Sequence, residues 1–102
     1  MRGHIGDIAR KLGDPAGAHT AYSEALSVMR KHPGPEDPDT LELVGRDAVA
    51  LMALGKKISA RNQARAVVDG YRRTLGEENP LTHRAQARLD EIAPTRRRRP
   101  TF

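Results

Sequence analysis

The feature that most constrains the fold of this sequence is an internal repeat with an offset of 42 residues. Self-similarity at a fixed period is typical of repeat architectures, in which each unit stacks on its neighbour to bury an apolar face. The matches fall on helix stops, turn residues and small contact positions, where backbone geometry restricts the choice of residue. The matched pairs are Leu12-Gly13 with Leu54-Gly55, Ala18 with Ala60, Arg30 with Arg72, Gly34 with Gly76, Glu36 with Glu78, Pro38 with Pro80, and Thr40 with Thr82.

Apolar residues at spacings of three and four predict five helices, and too few aromatic and β-branched residues are present to build a sheet. Asp14 is the expected N-cap of the second helix. Asp39 is the expected N-cap of the third helix, and Glu42, three residues later, can reach back to it. We therefore expect an all-α helical repeat (an α-α superhelix) made of two helix hairpins and a C-terminal capping helix. The predicted helices cover about 3–12, 15–32, 39–54, 58–75 and 80–93.

The stops and starts of these helices predict one repeat domain, residues 1–94, followed by a short tail. The domain divides into units of about 3–38 and 39–79 and a half-unit of 80–93. The tail, residues 95–102, combines prolines with an arginine run and is predicted to be disordered.

Residues 5–26 carry small residues at two helix-contact positions, Gly6 and Ala18, an aromatic residue at Tyr22 and the closing pair Ala25-Leu26. In these features the sequence resembles the tetratricopeptide repeat family. The 42-residue period and the Asp-Pro-Asp-Thr-Leu opening of the second unit are similar to the kinesin-light-chain-like variety of bacterial regulators. The resemblance implies a protein-binding scaffold in a bacterial regulatory or assembly system.

Composition narrows the possible chemistry. The chain has no cysteine, which excludes disulfides, thiolate metal sites and thiol catalysis and fits a reducing cytoplasm. The four histidines form no ligand-spaced pair, and the sequence contains neither a nucleophile elbow nor a phosphate loop. No stretch has the roughly 20 apolar residues of a membrane span. We expect a cytoplasmic protein that is not an enzyme and that needs no metal or cofactor.

The first helix of each unit is predicted to line a concave groove with a cationic bias and an apolar middle. Electrostatic attraction would speed the binding of an acidic peptide or protein, and apolar contacts would retain it. The alternative is that the charges are only solvated. The predicted groove residues are His4, Asp7, Arg10, Lys11, Arg46, Val49, Met52, Arg88 and Glu91.

Two other functions stay open. Two and a half units are few for a repeat array, so apolar surface at the N-terminal end would favour a homodimer. The arginine run of the tail would contact nucleic-acid phosphates without sequence preference, and a solubilising tail is the alternative. The residues concerned are Arg96, Arg97, Arg98 and Arg99.

Overall fold

The computed structural model describes Asp7 and residues 11–93, and this part of the chain is helical without a strand. Its four helices are α1 (Pro15–Met29), α2 (Pro38–Ala53), α3 (Lys57–Leu75) and α4 (Pro80–Ile92). The predicted number of five helices is not matched. The predicted helix 3–12 falls mostly outside the described residues, and within it Asp7 and Lys11 are helical. The predicted tail, 95–102, also lies outside them.

Three of the four helices begin in the same way, with a capping side chain followed by proline. Asp14 accepts a hydrogen bond from the Gly17 amide at 2.9 Å, and Asn79 caps α4 in the same position relative to its proline. The cap of α2 is Asp37, which accepts from the backbone N–H of Asp39 at 2.9 Å. The prediction that Asp39 is the cap was therefore wrong by two residues, because proline is most easily accommodated directly after the cap.

The helices pack in chain order, each against the next, and α2 also contacts α4. Helix α2 is the most buried of the four, since α1, α3 and α4 all lie against it. The core is assembled from small and aliphatic residues with two tyrosines. Its buried members are Ala18, Tyr22, Ala25, Leu26, Leu41, Leu43, Val44, Ala50, Val67, Val68, Tyr71 and Ala85.

Residues 42 apart occupy matching places in this arrangement. Ala18 of α1 and Ala60 of α3 are both fully buried, and Thr40 and Thr82 are each the third residue of their helix and also buried. A small side chain at the first pair allows neighbouring helix axes to approach closely. The internal repeat seen in the sequence is therefore also a repeat of local environments.

Candidate partner-binding face

Most of the predicted groove residues that the structure describes lie on α2 and α4. Arg46, Val49 and Met52 lie on successive turns of α2 and are partly exposed, and Glu91 is exposed near the end of α4. Lys11 is exposed ahead of α1. His4 and Arg10 fall outside the described residues. Helices α2 and α4 are in direct contact, so their exposed sides form one continuous face, here called the α2–α4 face.

Two of the predicted groove residues bind each other. Nη1 of Arg46 lies 2.6 Å from Oδ2 of Asp7, and its Nε lies 3.4 Å from the Glu42 carboxylate one turn earlier. The Tyr22 hydroxyl donates a hydrogen bond to the same Asp7 carboxylate. Arg46 thus ties the segment before α1 to α2. A guanidinium that already binds two carboxylates attracts an incoming acidic group less strongly.

The side chain of Arg88, a residue of α4, lies against α2 at Gly45. A Cβ atom at this buried glycine would lie 3.3 Å from Cζ of Arg88 and closer still to Nη1, so the missing side chain makes room for the guanidinium. Arg84 is one turn earlier on α4 and is exposed. Neither arginine has a carboxylate partner within the part of the chain that the structure describes. Two adjacent cations on one helix repel each other, and a bound anion would relieve that repulsion.

The two arginines of α4 also act on the hydroxyl of Tyr71, a buried residue of α3. Burial raises the pKa of the Tyr71 hydroxyl and the charge of Glu42 adds to this effect, whereas Arg84 and Arg88 oppose it. The hydroxyl donates a hydrogen bond to the Pro38 carbonyl at 3.3 Å. Because Arg46 of α2 already binds Asp7 and Glu42, the arginines of this face without a carboxylate partner among the described residues are Arg84 and Arg88 of α4.

A buried polar group on α2 was not anticipated from the sequence. The Asp47 carboxylate is almost completely buried, and its Oδ1 lies 2.6 Å from Nδ1 of His19 on α1. The Gln63 amide on α3 donates to Oδ2 of Asp47 at 3.1 Å and to the Val44 carbonyl at 3.2 Å. A buried carboxylate must be paired, and this one connects three helices. Asp47 lies four residues after Leu43 and therefore on the apolar stripe, which is the signal that would have revealed it.

The remaining polar groups form no convergent chemical site among the described residues. No group of three or more His, Cys, Asp or Glu there is placed to hold a metal ion. A cleft of about 320 Å³ separates α3 from the turn after α1, where the Arg73 guanidinium binds Glu36 and lowers the pKa of that carboxyl. A second cleft, of about 290 Å³ between α3 and α4, is lined mainly by polar and charged side chains that include Asp69.

Comparison with known proteins bears on the second unit. Residues 48–81 match the family model described as tetratricopeptide repeat. The matched segment contains the end of α2, the whole of α3 and the start of α4. No curated protein matches the chain. No helix in the described part of the chain combines the length and the apolar character needed to cross a membrane. The match supports a tetratricopeptide-repeat family and a helical-repeat fold for this chain.

Proposed function

We propose that this chain is a non-catalytic protein–protein interaction module whose α2–α4 face binds an acidic peptide or protein segment. The tetratricopeptide match at residues 48–81 supports interaction as the function, because repeats of this family typically bind proteins and lack catalytic activity. The observation that carries the proposal is Arg88, which lies over Gly45 beside Arg84 without a carboxylate partner among the described residues.

The bound segment is expected to place a carboxylate between the two arginines of α4. Charge attraction would speed association, and the partly exposed Val49 and Met52 would provide apolar contact further along the face. Arg46 has a structural role in this proposal, since it already binds Asp7. The finer context, a bacterial regulatory or assembly system of the kinesin-light-chain-like variety in the cytoplasm, is part of the proposal.

Selection from a displayed peptide library tests this directly. The unmodified protein should enrich peptides rich in Asp and Glu, and the double variant Arg84→Glu/Arg88→Glu should lose that preference. Arg61 and Arg65 provide a matched control, because they too are exposed arginines one turn apart, but on α3. Charge reversal at the control pair should leave the preference intact. Equal loss in both double variants, or no acidic enrichment at all, would refute the proposal.

Two alternative functions remain predictions. Homodimerisation would appear as a doubled mass in light scattering, and a stable monomer at high concentration counts against it. Nucleic-acid binding would depend on Arg96–Arg99, which lie outside the described residues. It predicts binding to duplex DNA that weakens steeply with salt and disappears when residues 95–102 are deleted.

A further inference from the structure

The cleft of about 320 Å³ beside the turn after α1 has an apolar floor and an unpaired cation at its edge. Leu41 and Val44 of α2 and Ala66 of α3 form the floor. Arg30, which directly follows α1, lines the same cleft and is exposed. All 13 Asp and Glu residues of the sequence lie in the described part of the chain, and none of them forms an ion pair with Arg30.

The internal repeat provides a second arginine with which Arg30 can be compared. Arg72 stands 42 residues later, and its Nη2 donates a hydrogen bond to Oε1 of Gln86 at 3.3 Å. Its Nε lies 3.8 Å from the carboxylate of Glu77. The arginine of the second unit therefore has two side-chain acceptors, one from the next helix and one from the turn that follows it.

The two arginines occupy equivalent places in the backbone. Each is followed four residues later by a glycine, Gly34 or Gly76, with positive φ. The amide of Gly34 donates to the carbonyl five residues earlier at 2.8 Å, and the amide of Gly76 does the same at 3.1 Å. In both turns the amide three residues after the glycine donates back to the glycine carbonyl at 3.4 Å. The side chains around the two arginines can therefore be compared position by position.

In the first unit, apolar residues stand in place of both acceptors. Val44 is 42 residues before Gln86, and Pro35 is 42 residues before Glu77. Both line the cleft, and neither side chain can accept a hydrogen bond. The guanidinium of Arg30 thus lies at the edge of an apolar cleft without the two side-chain acceptors that the equivalent guanidinium has.

We propose that this cleft binds a small monocarboxylic acid, with its aromatic or aliphatic body on the apolar floor and its carboxylate on Arg30. A guanidinium matches the geometry of a carboxylate. The nearby Glu36 carboxylate is neutralised by Arg73, whose Nε lies 2.9 Å from it, so it repels the ligand only weakly. The cleft volume is near the lower end of the range of about 300–1,000 Å³ for small-molecule sites, which favours a small ligand. The site goes beyond the proposed function, because its cation follows α1 and is not part of the α2–α4 face.

An NMR titration of the ¹⁵N-labelled protein with 2-naphthoate tests the proposal. Amide shifts should concentrate on residues 30–36, 41–44 and 62–73. The Kd should be about 1 mM or lower, as expected for a ligand of about 13 non-hydrogen atoms. Arg30→Gln should raise the Kd about tenfold or more, because it removes a charge-assisted hydrogen bond. Arg72→Gln is the matched control and should leave the Kd unchanged, since Arg72 stands at the equivalent position outside this cleft.

Further arms test the charge of the ligand and the comparison between the two units. 2-Naphthamide, which has the same body without the charge, should bind about tenfold more weakly than 2-naphthoate. Pro35→Glu places a carboxylate where Glu77 stands in the second unit, and should raise the Kd by up to about fivefold because it competes for Arg30. Pro35→Ala should leave the Kd unchanged. Circular dichroism shows whether each variant keeps its helices, so that loss of binding is not mistaken for unfolding.

Four outcomes would overturn the proposal. The first is an absence of shifts at about 10 mM 2-naphthoate, and the second is equal weakening by Arg30→Gln and Arg72→Gln. The third is equal binding of the acid and the amide. The fourth is an acetylated peptide with a C-terminal phenylalanine carboxylate that binds at the same residues about tenfold or more tightly than 2-naphthoate, because a protein C-terminus would then be the occupant. None of these results involves Arg84 or Arg88, so the two proposals fail independently.

Discussion

Replacing threonine by valine should have opposite effects at two equivalent positions, Thr40 and Thr82. Each is the third residue of a helix that begins with proline after a polar cap, and each is almost fully buried. The Thr82 hydroxyl donates to the Gly76 carbonyl at 2.7 Å. The Thr40 hydroxyl is buried and has no hydrogen-bond partner among the described residues.

The expected magnitudes follow from this difference. Valine replaces the hydroxyl by a methyl group of similar size, and the change in helix propensity is the same at both positions. Thr82→Val loses one hydrogen bond and should lower the free energy of unfolding by about 1 kcal/mol. Thr40→Val removes a buried hydroxyl whose desolvation is not offset by a hydrogen bond. The change should raise the free energy of unfolding by about 1–2 kcal/mol.

Thermal unfolding followed by circular dichroism measures both variants under one condition. For a domain of this size, 1 kcal/mol shifts Tm by about 4–8 °C, so the two variants should differ by about 10 °C or more. The unmodified protein should unfold between them. If Thr40→Val destabilises the protein as much as Thr82→Val does, the Thr40 hydroxyl has a partner and the reasoning is refuted.

Three further predictions concern stability. Gly70→Ala should destabilise the protein by about 1–2 kcal/mol in urea unfolding, because the alanine Cβ would lie 2.8 Å from Cδ1 of buried Leu41. This clash outweighs the better helix propensity of alanine, and a gain in stability would contradict the packing. Asp47→Ala should cost about 3 kcal/mol in the same assay, since it removes a buried group with two side-chain partners, and a loss below about 1 kcal/mol would show that the carboxylate is not buried. The pKa of Tyr71 is raised in the folded state, so the stability that the neutral hydroxyl contributes is complete below the unfolded-state pKa of about 10 and is lost as pH rises through the folded-state pKa. Tyr71→Phe removes this titration and should therefore reduce the loss of stability at alkaline pH. An unchanged dependence of Tm on alkaline pH would contradict the shift.

The boundaries of the described helices were predictable where local chemistry alone determines them. Helix α1 begins at Pro15 and α4 at Pro80, and each proline follows a capping residue, Asp14 or Asn79. Proline is well suited to the position after a cap, so these starts are visible in the sequence. Gly76, with φ of 89°, adopts a left-handed conformation at the end of α3, where glycine was expected. Such signals involve neighbouring residues, so one sequence is sufficient to read them.

The contacts of the α2–α4 face could not be predicted in the same way, because they join residues far apart in the chain. The sequence places Asp7 and Arg46 on the same predicted groove but does not show that they bind each other. It equally gives no sign that Arg88 would lie over Gly45. These pairings depend on how one helix is rotated against the next, which is set by packing of the whole core.

The measurement that tests the central claim most directly is an NMR titration of the ¹⁵N-labelled protein with an acidic peptide enriched in the library selection. The claim predicts that amide shifts concentrate on residues 42–53 of α2 and 84–92 of α4, and that Arg84→Glu/Arg88→Glu abolishes them. Shifts concentrated on the exposed side of α3, or shifts that persist in the double variant, would contradict it.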